Sequence, residues 1–169
     1  MKHLIFSANG IDEYTPIVSS AGVADANKTI QTGSDGKLDT SLMPTGLGAD
    51  TAQATAYENL SIGDLVNVYN DAGTLKARKA DASGGRAKKA IGFVKEAVTA
   101  NQTATIYLDG TISGLTGLTI GADYYLSATT AGGVVSTIPT TTNYIAQYVG
   151  TAKSATELIF EYSNPILRA

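Results

Sequence analysis

His3 is the single histidine of the 169-residue chain, and there is no cysteine. An imidazole works as a general base or a metal ligand only where other groups hold it in place. The sequence puts no such group beside His3, so it is given no catalytic role. Without thiols, neither disulfides nor thiolate metal sites are available. Asp35-Gly36-Lys37-Leu38-Asp39 looks like part of a calcium loop. Such a loop needs oxygen ligands at alternate positions and a distal bidentate glutamate. Ser34 and Lys37 are out of place and no glutamate follows, so a plain Asp-Gly turn is expected. Glycoside hydrolysis would need two carboxylates facing each other across a cleft. Asp64, Glu96, Asp109, Asp123 and Glu157 mostly fall in turns or at strand ends, and no pair stands out. No nucleophile is placed with a base. The expectation is a protein that is not an enzyme, with no catalytic residue, no metal and no cofactor.

Two other groups of residues invite a reading. Gly84-Gly85-Arg86-Ala87-Lys88-Lys89 is not a phosphate loop, which needs GxxxxGK[ST] between a strand and a helix. With Arg78 and Lys79 it forms the one basic cluster of an acidic chain. Its plain reading is a solvated loop. Its functional reading is an electrostatic contact with an acidic partner surface. Of the nine tyrosines, Tyr107, Tyr124, Tyr125, Tyr144, Tyr148 and Tyr162 fall on expected strands. A ring with a polar tip serves both cores and interfaces. Sheet packing and subunit contact are therefore expected, with Tyr107, Tyr124 and Tyr148 as candidate interface residues. A sugar-binding platform would usually include tryptophan, and there is none.

Short strands are expected to carry most of these residues. In Ala104–Ala128, ATIYLDGTISGLTGLTIGADYYLSA, residues Ala104, Ile106 and Leu108 alternate with Thr105, Tyr107 and Asp109. That is the period of a half-buried strand. Asp109-Gly110 then turns the chain. Further strands are expected at Leu65–Tyr69, Thr74–Ala80, Ala90–Val94, Tyr144–Val149 and Leu158–Tyr162, with a hairpin turn at Asn70–Gly73 and a flexible loop at Asp81–Gly85. Gly133–Ser136 and Thr137–Pro139 are read as two shorter extended pieces. Pro165 is expected to stop the last strand. The spacing is that of an antiparallel sandwich or barrel, and no βαβ rhythm is visible.

The beginning of the chain is different in kind. Leu4–Phe6 and Thr15–Val18 read as short extended pieces, and Pro16, lacking an N–H, belongs at an edge or on a partner. Residues 23–50 are poor in apolar groups, and glycine recurs at 33, 36, 46 and 48. Asp39-Thr40-Ser41 has the form of a cap for a single turn carrying Leu42 and Met43. Ile30, Leu38, Leu42, Met43 and Leu47 need a surface from elsewhere. A groove of another protein is favoured over folding back. Residues 51–60, rich in helix formers, are expected to be a linker or short helix, and 61–169 a β-rich body. The fold class is thus all-β, with an antiparallel sandwich or barrel body and an extended, mostly irregular N-terminal arm.

Charged residues make up 16% of the chain and the net charge is −3. Small residues and few charges suit subunit contacts, and the mild negative charge argues against nucleic acid as a main partner. Only three apolar residues follow the basic start, whereas a signal peptide needs about 7–15. No run approaches the ~18 apolar residues of a spanning helix. Synthesis in the cytoplasm and no membrane partner are expected.

The stretches IGFVKEAV, ATIYLDGTISGLTGLTIGADYYLS, GGVVSTIP and AQYVGTAKSATELIFE resemble the β-domain of tailed-bacteriophage head decoration (cement) and head-fibre proteins. GDLVNVYNDAGTLKARKA resembles the start of such domains. IVSSAGVADANKTIQTGSDGKLDTSLMPTGLG resembles the extended segment that precedes the body in these virion proteins. The resemblance implies a homotrimer on the capsid exterior that stabilises the head where capsomers meet, with the major capsid protein and itself as partners. On that view residues 1–50 bind the capsid. Ile30, Leu38, Leu42, Met43, Leu47, Arg78, Lys79, Arg86, Lys88 and Lys89 are the candidate contacts. A fibre module that binds host-surface glycans is the alternative, and a hydrolase ranks last.

Overall fold

The alternation around Ile106 is realised as a strand: Ala104 and Ile106 are buried, while Thr103 is exposed and Thr105 and Tyr107 are half-buried. The computed structural model describes residues 3–7, 10–43 and 49–169. In chain order the strands are β1 (His3–Ser7), β2 (Gly10–Tyr14), β3 (Thr51–Ala56), β4 (Leu65–Asp71), β5 (Thr74–Lys79), β6 (Gly92–Phe93), β7 (Thr103–Tyr107), β8 (Gly110–Ile112), β9 (Asp123–Leu126), β10 (Val134–Val135), β11 (Ile145–Ala146), β12 (Tyr148–Ala152), β13 (Leu158–Phe160) and β14 (Ile166–Leu167). Among the described residues the only helical turns are short and of the 3-10 type. The fold is all-β. The chain divides into two units, Met1–Gly48 and Ala49–Ala169.

In the second unit, strands β3-β5-β4-β6-β7 close into a barrel. Every neighbouring pair is antiparallel except β3 and β5, which run parallel. A purely antiparallel sheet was expected, and the reason for the exception is geometric. Directions that alternate around a ring cannot close on an odd number of strands, so one seam must be parallel. β4 and β5 meet through the expected hairpin. Ala72 and Gly73 both take positive φ, at 49° and 92°, as a two-residue turn of the primed type requires.

Residues 51–60 are neither linker nor helix. Thr51–Ala56 is β3, paired with β7 over five residues and with β5 over two. The Ala-Gln-Ala-Thr-Ala run reads as helix former in isolation. The barrel interior overrides that preference because a narrow ring has room for methyl groups. Ala54, Ala56, Ala77 and Ala104 point inward there with Leu60, Val66, Val94 and Ile106.

The other side of β4 and β6 is also buried. Leu65 and Phe93 face a second cluster with Ile112, Leu126, Ile145, Val149, Leu158 and Phe160. This cluster is backed by a five-stranded antiparallel sheet in the order β10-β9-β12-β13-β8. Phe93 lies with its ring centroid 5.5 Å from Phe160 and 5.8 Å from Tyr107. A bulge interrupts the β9–β12 register between Tyr148 and Gly150. There β12 and β13 approach so closely that a Cβ on Gly150 would stand 1.9 Å from the carbonyl oxygen of Ile159. Pro165 does not end the β-structure: β14 follows it and pairs with β11. Thr137–Pro139 is not a strand but part of an irregular loop.

The first unit carries the β1–β2 hairpin. Beyond it, residues 15–43 are mostly irregular, yet they are tied by backbone bonds. Ile17 bridges Ile30 in parallel fashion, with Ile17 N–H donating to Thr29 O at 2.9 Å and Gln31 N–H to Ile17 O at 3.0 Å. The expected single turn forms at Thr40–Leu42, capped by Asp39, which accepts from Ser41 N–H at 2.9 Å. Ser20 N–H donates to Ser41 Oγ at 2.7 Å and so joins the two ends of this segment.

Candidate functional site

The apolar candidates of the first unit remain accessible. Ile30, Leu38 and Met43 are 49%, 47% and 44% exposed. Leu42 is half-buried, and Leu47 lies outside the described residues. Ile30 and Leu42 come together in one hollow of about 290 Å³, with Ile17 beside them. Leu38 shares a neighbouring hollow of about 370 Å³ with Val18. Val18 and Val23, exposed as well, belong with this set and were missed by the sequence reading. Their signal was available: both are aliphatic residues in a segment with no apolar periodicity to bury them. Two aspartates fix the local turns. The Asp25 carboxyl is held below its ordinary range by the Ala21 N–H and then by Lys28, whose ammonium sits 2.6 Å away. The hydroxyl and N–H of Ser41 do the same for Asp39.

The basic cluster of the second unit is partly assembled and partly dispersed. Asp81–Gly85, expected as a flexible loop, is instead part of a capped, turned segment. Asp81 caps 3-10 turns over Ala82–Lys88, accepting from the N–H and hydroxyl of Ser83 at 2.8 and 2.7 Å. Arg78 reaches across to this segment: its Nη2 donates to Ala87 O at 2.7 Å and its Nε to Asn67 Oδ1 at 3.0 Å. The guanidinium lies 4.3 Å from the centroid of the Tyr69 ring. Asn67, buried at 3% exposure, also donates through Nδ2 to Lys89 O at 2.9 Å. Lys89 Nζ donates to the Tyr162 hydroxyl at 3.2 Å. Arg86 is exposed and Lys88 half-buried on the same segment. Lys79 does not belong to the group. It alternates to the other face of β5 and forms an ion pair with Asp64 at 3.0 Å. Asn67 is the residue that sequence reasoning missed; a lone asparagine in a strand carries no signal of what it will bridge.

The tyrosine candidates divide. Tyr124 is a core residue, 6% exposed, and its hydroxyl accepts from Thr119 N–H at 2.9 Å. It is therefore corrected from interface to core. Its place on the inward side of β9 follows from the alternation that also buries Leu126. Tyr107 is half-buried, stacked on Phe93, and its ring is covered by Lys95 Nζ at 4.2 Å from the centroid. Tyr148 is half-buried too. Its hydroxyl donates to Thr151 Oγ1 at 2.8 Å, which in turn donates to Asp123 at 2.9 Å.

No protein-family model and no curated protein matches this chain. Among solved structures, the chain is similar to the N base of head fiber gp8.5 in bacteriophage phi29, at 13% sequence identity and a TM-score of 0.45, over 69% of this chain and 98% of that one.

Among the described residues, no three of His, Cys, Asp and Glu converge on a metal-sized space. Asp35 accepts from Lys37 N–H at 3.1 Å, as an Asp-Gly turn does. The surfaces offer exposed aliphatic groups in the first unit, and cations braced by a buried amide in the second.

Proposed function

We propose that this chain is a structural protein of a tailed-phage virion that binds the outer surface of the capsid through its first unit and stabilises the head at capsomer junctions, as a homotrimer. One observation carries the proposal. Among the described side chains of residues 15–43, Pro16 alone is buried. Val18, Val23, Ile30, Leu38 and Met43 are all exposed. The second unit has two clusters of buried apolar residues of its own, whereas the apolar side chains of residues 15–43 pack into no such cluster. Apolar burial contributes about 25 cal/mol per Å², so a few such residues on a partner matter even after ordering costs. Three copies acting together multiply the effect by raising the effective concentration. The resemblance of the leading segment to virion proteins names the partner class.

The test uses the full chain carrying Val23→Asp, Ile30→Asp and Leu38→Asp, mixed with expanded heads that lack the protein. Sedimentation should recover the unaltered chain with the heads and leave the variant in the supernatant. Recovery of the variant at the same level overturns the assignment.

A groove of about 450 Å³ in the second unit favours the second reading, a glycan-binding fibre module. It is lined by Tyr144, Ile138, Pro139, Thr129, Thr137 and Thr141. Binding on a glycan array, lost with Tyr144→Ala, would support that reading.

A further inference from the structure

We infer that Arg78, Arg86, Lys88 and Lys89 form a binding site for an acidic peptide segment of a protein partner, held through its carboxylates. The chain has 12 basic and 15 acidic residues, so a cation without a carboxylate partner is not forced by numbers. Ion pairs among the described residues join Lys28 to Asp25, Lys76 to Asp71, Lys79 to Asp64 and Lys153 to Glu157. None of the four cations of this shelf takes part in them. The partners of the Arg78 and Lys89 side chains are neutral: an amide, a backbone carbonyl and a phenol. Three of these charges lie on residues 86–89, Arg78 joins them from β5 at Ala87 O, and among the described residues none of the four is ion-paired.

The gathering is built. The buried Asn67 amide donates to Lys89 O, which turns its own oxygen toward Arg78. The Ala87 carbonyl, set between Arg86 and Lys88 in the chain, then holds the guanidinium against this segment at 2.7 Å. Stacking on Tyr69 fixes the plane of the fork. Of the five N–H groups of a guanidinium, these contacts use two. A braced fork with free donors is the arrangement that receives a carboxylate in two parallel bonds.

The neighbouring rings argue for peptide over nucleic acid. Unspecific single-strand binding needs open aromatic faces for base stacking. Tyr69 already carries Arg78 at 4.3 Å, and Tyr162 carries Lys89 at 5.7 Å. The inference rests on the proposed function only in taking the partner to be a protein. The shelf lies in the second unit, whereas the capsid reading stands on residues 15–43.

The experiment measures binding of a fluorescent decaglutamate peptide to the full chain by anisotropy at low salt. Unaltered protein should bind. Arg86→Ala with Lys88→Ala should weaken binding by about tenfold or more, with an unchanged melting temperature. Arg78→Lys, which keeps the charge and loses the fork, should weaken it severalfold. Lys95→Ala with Lys153→Ala, elsewhere on the same unit, should leave it unchanged. No binding by the unaltered chain overturns the inference, as does an equal loss in the Lys95/Lys153 variant. Single-stranded DNA of equal charge binding as tightly as decaglutamate overturns the peptide assignment. A chain that binds decaglutamate but not heads sinks the proposed function and leaves this site standing; the reverse result does the opposite.

Discussion

Gln147 grips the backbone of Ala90 from both sides: its Oε1 accepts the Ala90 N–H at 2.8 Å and its Nε2 donates to the Ala90 carbonyl at 2.8 Å. The same Nε2 reaches Ser163 O at 3.0 Å. The side chain is fully buried, and it stitches the segment before β6 to β12 and to the tail.

Gln147→Leu keeps the volume and strands these backbone groups. A buried polar group left without a partner costs about 1–3 kcal/mol. The variant should lose on the order of 3 kcal/mol, a drop of roughly 6–12 °C in melting temperature for a chain this size. Differential scanning calorimetry reads it, and an unchanged melting temperature would show that the amide is dispensable.

Gly150→Ala should be worse. The added methyl would strike the Ile159 carbonyl and the Leu158 side chain, at a φ of 142°. Overpacking alone costs about 1–3 kcal/mol, and here the obstacle is backbone in a paired strand. A loss beyond about 3 kcal/mol, or recovery only as aggregate, is expected in urea titration.

Ala72→Gly should have the opposite sign. Ala72 sits at a φ of 49° in the β4–β5 turn, and a left-handed residue with a Cβ costs about 1–2 kcal/mol. Glycine removes that cost and adds freedom to the unfolded chain, leaving a net gain of about 0.5–1 kcal/mol. The urea midpoint should rise.

Acid should loosen the first unit. Asp25 and Asp39 are both lowered from 3.8 in the folded chain. A depressed carboxyl contributes stability above its unfolded value and loses it as pH falls through the folded one. Between pH 5 and 7 the turns at Ala21 and Ser41 should therefore be insensitive to pH. Below 3.8 their amides should lose protection, as read by NMR hydrogen exchange. Asp39→Asn should flatten the profile at Ser41 alone.

The strands of the body were largely legible because alternation and turn dipeptides agree there. Ala104 and Ile106 alternate, and Asn70–Gly73 turns, for reasons local to those residues. β3 was not legible. Its alanines favour a helix until a ring of strands closes around them, and that ring is set by pairings tens of residues apart. The grouping of Arg78 with Arg86–Lys89 could be suspected from charge, but Asn67, which braces it, could not. The departure of Lys79 follows from strand alternation and was foreseeable. Tyr124 was misplaced because a tyrosine suits core and surface alike, and only its register on β9 decides between them.

The methyl-lined ring of Ala54, Ala56, Ala77 and Ala104 has one more consequence. Barrels that cradle a small molecule are built on about eight strands or more, and this one is a solid plug with no lumen. Substitutions inside the ring should therefore act on rigidity, and those on its outer skin on whatever contacts the barrel makes.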